Sequence, residues 1–105
     1  MKRLTFSPAA RADLLEIGLY IAEDSPERAV SFIIELEGKA KRAAERPASF
    51  PARDDVAEGL RAIAHGRYLL FFRDLSDEVR IVRVLHGARD LHRAIEEVAS
   101  GPGLP

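Results

Sequence analysis

The chain reads as an α+β domain in the order β-αα-β-β-β-α, with a helical hairpin packed on a four-stranded, mainly antiparallel sheet. Three observations carry that expectation. Two Ser-Pro pairs, Ser7-Pro8 and Ser25-Pro26, each open a long stretch with apolar residues at helical spacing, and almost no linker separates them. Two β-type runs, residues 68–72 and 79–85, flank the polar turn Leu75-Ser76-Asp77-Glu78. At 105 residues the chain has single-domain size and can bury roughly 65% of its unfolded surface.

Residues 2–6 make a short first strand, with Leu4 and Phe6 on one side and Arg3 and Thr5 on the other. Ser7 is the N-cap of a helix that runs to about Asp24, with proline at the first position, where a missing N–H costs nothing. Ala10, Leu14, Ile17 and Ile21 set its buried face, Leu15, Tyr20 and Ala22 widen that face, and Arg11, Asp13, Glu16 and Glu23 mark the wet side. The second helix carries its stripe on Ala29, Phe32, Ile33, Leu36, Ala40 and Ala43, and Arg46-Pro47 ends it. So short a link makes the two helices an antiparallel αα-hairpin.

Residues 47–59 form a loop, read as a solvated connector with Phe50 tucked under as an anchor, with a functional or partner-contacting loop as the alternative. Residues 60–64 are a third β candidate at or near an edge, closed by the His65-Gly66 turn. The strand after the helices is expected antiparallel beside the first. The 68–72 run is apolar on both faces and belongs in the centre, so its second face needs cover. Gly87 breaks the last strand, and Asp90 caps a short helix with Leu91, Ala94, Ile95 and Val98 at helical spacing. Residues 1–99 are thus one domain and 100–105, SGPGLP, a flexible tail.

Composition excludes several classes. Cysteine is absent, which removes disulfides and thiolate metal sites and suits a reducing compartment. Ser7-Pro8 and Arg11 interrupt any signal-like core after Met1-Lys2-Arg3, and no run nears the roughly 18–20 apolar residues of a membrane span. A cytoplasmic location is expected. The net charge of −1 argues against bulk capture of nucleic acid. Its distribution is uneven: residues 61–93 hold seven basic and four acidic groups, and every one of the seven is arginine. The planar guanidinium suits carboxylate or phosphate recognition.

His65, His86 and His92 lack the i,i+4 spacing of a helical metal pair, and no metal or cofactor is expected. No nucleophile motif or phosphate loop occurs either. A general acid–base ribonuclease could draw cations and an imidazole from Arg61, Arg67, Arg73, Arg80, Arg83 and His86. Singly, each arginine reads as strand decoration or an internal ion pair with Asp74, Asp77 or Glu78. Grouped on one sheet, they suggest a surface for an acidic partner.

The segments LTFSPAARADLLEIGLYIAEDSPERA, GLRAIAHGRYLLFFR and VRIVRVLHGARDL together resemble the ParE toxins of the RelE/ParE superfamily, over about residues 4–95. These are the toxin halves of bacterial toxin–antitoxin modules. The resemblance implies the fold above and a ParD-like antitoxin partner. That antitoxin's N-terminal part makes a dimeric DNA-binding unit, so DNA is met only through it, and its C-terminal segment wraps the toxin. It also implies a non-enzymatic toxin that poisons DNA gyrase by binding. RelE relatives instead cleave messenger RNA on the ribosome with lysines, arginines and often a C-terminal tyrosine. Those residues do not carry over, since the last lysine is Lys41 and the tyrosines are Tyr20 and Tyr68. No catalytic residue is therefore assigned.

By position, Gly66, Arg67 and Tyr68 match the family's turn into the central strand, and residues 83–90 match its RVLHGARD segment. Arg67, Arg83, His86, Arg89 and Asp90 are the candidate target surface. Arg61, Tyr68, Leu70, Phe72, Arg73 and Arg80 are the candidate antitoxin contacts. Two other readings stay open: a RelE-like ribosome-dependent endoribonuclease, and a non-toxic antitoxin partner and co-repressor.

Overall fold

The computed structural model describes residues 2–87 and residue 90. The elements are β1 (Arg3–Phe6), α1 (Pro8–Ala22), α2 (Pro26–Glu45), a 3-10 turn at Pro47–Ser49, β2 (Leu60–His65), β3 (Tyr68–Asp74) and β4 (Glu78–His86). Both Ser-Pro starts act as expected. The Ser7 and Ser25 hydroxyls accept the backbone N–H groups of Ala10 and Arg28, at 3.0 and 3.1 Å. The C-terminal helix, Arg89, His92 and the tail lie outside the described residues.

The strands form one sheet in the order β1-β4-β3-β2. β3 is central, as its two apolar faces require, and β2 is an edge. Gly66, at φ +58°, makes the two-residue turn between β2 and β3 possible, because a side chain there would be strained. The placement of β1 differs from expectation. It lies parallel to β4, with Leu4 beside Val79, and not antiparallel beside β2. The reason is the loop: residues 51–53 run antiparallel along β2 through an Ala52–Arg61 bridge before the chain turns into that strand. The doubling back reverses the strand's sense and moves it to the far edge, leaving β4 as the partner of β1. The sheet is mixed.

One face of the sheet packs on the hairpin. Phe72, Leu70, Ile81, Val79 and Val84 meet Leu36, Ala40 and Ala43 of α2 and Ile17 of α1, with Phe50 edge-on to Phe72 at 6.1 Å. The alanines let α2 lie close, and Phe72, Leu70 and Ile81 have no exposed surface. The other face has its own cluster, Phe71, Val82, Leu85, Ala62 and Leu60, with Val56 and Ala57 of the loop packed against it. Among the described residues no helix is long and apolar enough to cross a membrane.

Candidate functional site

β4 contains the fold's main irregularity. Phe71 pairs with Arg83 and Phe72 with Ile81, so Val82 is an extra residue, a β-bulge. Beyond Phe6, β1 no longer covers this edge of β4, and α1 takes over the pairing. Ser7 donates its backbone N–H to the Ile81 carbonyl at 2.9 Å and its hydroxyl to the Val82 carbonyl at 2.9 Å. Six residues later Asp13 accepts the Val84 N–H at 2.9 Å and holds the Arg83 guanidinium through two bonds, at 2.8 and 3.0 Å. Asp13 is buried, not on the wet side of the helix. A part-buried carboxylate with one guanidinium and one backbone donor is a satisfied group. Arg83 is therefore committed to the fold.

The other arginines of the sheet are similarly engaged. Arg61 donates to the Phe50 carbonyl at 2.7 Å, and Arg73 to the Glu58 carbonyl at 2.8 Å. Arg80 pairs with Glu78 at 3.0 Å, with Arg3 at 3.8 Å from the same carboxylate. The Thr5 hydroxyl bond, then Arg80, holds the Glu78 carboxyl below its ordinary value. Tyr68, Leu70 and Phe72, among the residues expected to meet the antitoxin, are buried in the core.

What remains open at the other end of β3 is a small cluster. Arg67 stands exposed in the turn, and its carbonyl accepts the Gly87 N–H at 2.7 Å. His86 lies edge-on to Tyr68 at 5.4 Å. Asp90 accepts the His86 N–H at 3.2 Å and returns its own N–H to the His86 carbonyl at 2.9 Å. Nearby, His65 meets Glu35 at 2.8 Å. The Arg28 guanidinium, then His65, keeps that carboxyl below its ordinary value. Among the described residues no three potential metal ligands converge.

An open apolar surface lies elsewhere, on the outer side of the helical hairpin. Leu15 and Leu19 of α1 and Val30 and Ile34 of α2 are each more than 60% exposed. With Leu14 and Ile33 they line a groove of about 580 Å³, with Arg11 and Glu37 also lining it. Gly18 forms part of the floor, and a Cβ there would sit 3.7 Å from Ile33. Apolar side chains contiguous across two helices mark a contact surface. Sequence reasoning assigned Leu15 and Tyr20 to the core; both are over 60% exposed. The signal was present, because α1 carries apolar residues on more than one face and one sheet can cover only one side of it.

Comparison with known proteins agrees with this architecture. Residues 4–91 match the family described as ParE toxin of type II toxin-antitoxin system, parDE. The chain belongs to that family. Among its relatives are proteins named Toxin ParE1. One from Mycobacterium tuberculosis is 33% identical over 93 residues, covering 87% of this chain and 95% of that protein. Another, from Caulobacter vibrioides, is 32% identical over 87 residues, covering 82% and 90%. A solved chain of the chromosomal ParDE TA system from P. aeruginosa shares the fold, with a TM-score of 0.70 at 22% identity, covering 82% of this chain and 96% of that one. In this ParE-family chain, the arginine-rich segment holds the toxin fold together, and the hairpin groove is its open apolar face.

Proposed function

We propose that this ParE-family protein is held by a ParD-like antitoxin whose amphipathic helix lies in the hairpin groove, and that it inhibits DNA gyrase by binding. The groove carries the antitoxin half of this reading. Leu15, Leu19, Val30 and Ile34 offer the apolar contacts that a helix with residues at i, i+3, i+4 and i+7 would fill. Arg11 and Glu37 give its polar flanks a charge of each sign to meet. Co-expression with the antitoxin tests it. The pair should co-purify, and Leu19→Glu with Val30→Glu should separate them without unfolding the toxin. Unchanged co-purification of that variant would sink the groove assignment.

The gyrase half is supported by chemistry. A ribonuclease needs groups that move protons beside cations at the scissile phosphate. Here Arg83 is engaged by Asp13, the lysines are Lys2, Lys39 and Lys41, and Tyr68 lies in the core. The exposed Arg67, with His86 and Asp90, is the surface we assign to the target. Purified protein should block gyrase supercoiling, and Arg67→Glu should relieve the block. Supercoiling untouched at molar excess, or site-specific cuts in ribosome-bound message, would overturn this mechanism.

A further inference from the structure

A second opening lies apart from the hairpin groove, along the free edge of β2. In this strand Leu60 and Ala62 turn their backbone groups away from β3, and the preceding loop meets them there. Arg53 donates its N–H to the Leu60 carbonyl at 2.7 Å, and Ala62 donates its N–H to the Pro51 carbonyl at 3.1 Å. The strand's period of two turns the N–H and C=O of Ala64 outward as well. The loop has left the edge by that point. Ala64 is exposed, and among the described residues no backbone partner reaches either of its groups.

Beside this short open edge is a cleft of about 380 Å³. Phe50, Ile63 and Leu69 give it apolar walls, and Lys39, Arg42 and Arg53 line it with positive charge. Arg53 is already held by Asp55 at 3.0 Å and lies over the Phe71 ring. Lys39 and Arg42, three residues apart on one face of α2, have no ion partner among the described residues.

Three chemistries therefore converge. Outward N–H and C=O groups pair with the backbone of another chain, apolar walls take alternate side chains, and two unpaired cations take carboxylates. Nucleic acid supplies no backbone amide for Ala64, and a net charge of −1 gives it no attracting field. We propose that the β2 edge at Ala64 binds an extended acidic peptide segment of a partner protein. It adds as a fifth strand, with its carboxylates against Lys39 and Arg42. This site is independent of whatever fills the hairpin groove.

The test is a backbone-amide NMR titration with an acetylated, amidated heptapeptide of alternating glutamate and valine. A lysine–valine peptide and a single-stranded oligonucleotide serve as controls. Expected are saturable shifts at Ile63, Ala64 and His65 with the acidic peptide only. Affinity should fall about tenfold or more in the Lys39→Glu, Arg42→Glu double variant, at one half-buried and one exposed position of α2, with unchanged amide shifts away from the site showing that it folds. Ala64→Pro, which removes one outward donor at an edge where proline is tolerated, should weaken binding likewise. Absence of shifts at millimolar peptide overturns the proposal. So does equal binding of the lysine peptide, a response to the oligonucleotide at these amides, or shifts confined to the hairpin groove.

Discussion

On the sheet, Phe71, Phe72 and Ile81 are fully buried, and Arg80 and Arg83 are held by Glu78 and Asp13. On the outer side of the hairpin, Leu15, Leu19, Val30 and Ile34 are more than 60% exposed. The same residue classes thus serve opposite ends within one small domain. Buried apolar area and paired charge make the sheet self-sufficient. The hairpin keeps about 580 Å³ of apolar groove that no side chain among the described residues fills. A surface of that kind adds little to folding and is available for association.

Truncations of matched chemistry should separate the two regions. Phe72→Ala empties a fully buried site and should cost about 3–5 kcal/mol in urea unfolding. A midpoint within error of the parent would show that the sheet is not the stable half. Next in size is Asp13→Ala, which strands a part-buried guanidinium and the Val84 N–H and should cost about 3 kcal/mol. Asp13→Leu combined with Arg83→Met should recover the part of that loss due to the guanidinium and leave the part due to the Val84 N–H. If it does not, the pair contributes more than mutual satisfaction.

Leu19→Ala at the groove should move stability by no more than about 0.5 kcal/mol, yet weaken antitoxin binding measured by calorimetry. A large loss of stability with unchanged binding would reverse the roles given to the two regions. The smallest effect concerns acid. The folded-state pKa of Glu78 lies below its ordinary 4.5, so folding favours the ionised form. Its contribution is present in full above about pH 4.5 and fades as pH falls through the depressed value. Glu78→Gln should therefore be less stable at neutral pH, with a flatter acid limb in thermal melts. Parallel acid limbs would contradict this.

What was legible in the sequence was local. Ser7-Pro8 and Ser25-Pro26 carry their capping chemistry within three residues, and both helices begin where those residues require. The two-faced apolar run of β3 revealed a central strand for the same reason. Long-range placement was not legible. The parallel pairing of β1 with β4 depends on where the 46–59 loop doubles back, and no periodicity records that. Asp13 looks like solvent-facing polarity because its partner lies 70 residues away. The arginines gave a true signal of function class through family resemblance and a misleading one through charge, since most meet groups of their own chain. The groove was half legible, because α1 has more apolar residues than a single packed face can use.

The Val82 bulge has a consequence for how this chain tolerates change in length. Upstream of position 82, Val79 and Ile81 point to the hairpin; downstream, Val84 does so, and Val82 and Leu85 belong to the opposite face. The two halves of β4 are out of phase, with one inserted residue between them. Deleting Val82 would restore a regular ladder and leave the faces beyond it as they are, with Arg83, Val84 and Leu85 still opposite Phe71, Leu70 and Leu69; the loss would fall on the contacts of Val82 itself in the second cluster. A one-residue gap at the bulge is thus one the ladder can accept, whereas the same gap in the regular run of β3 would turn every side chain beyond it to the opposite face.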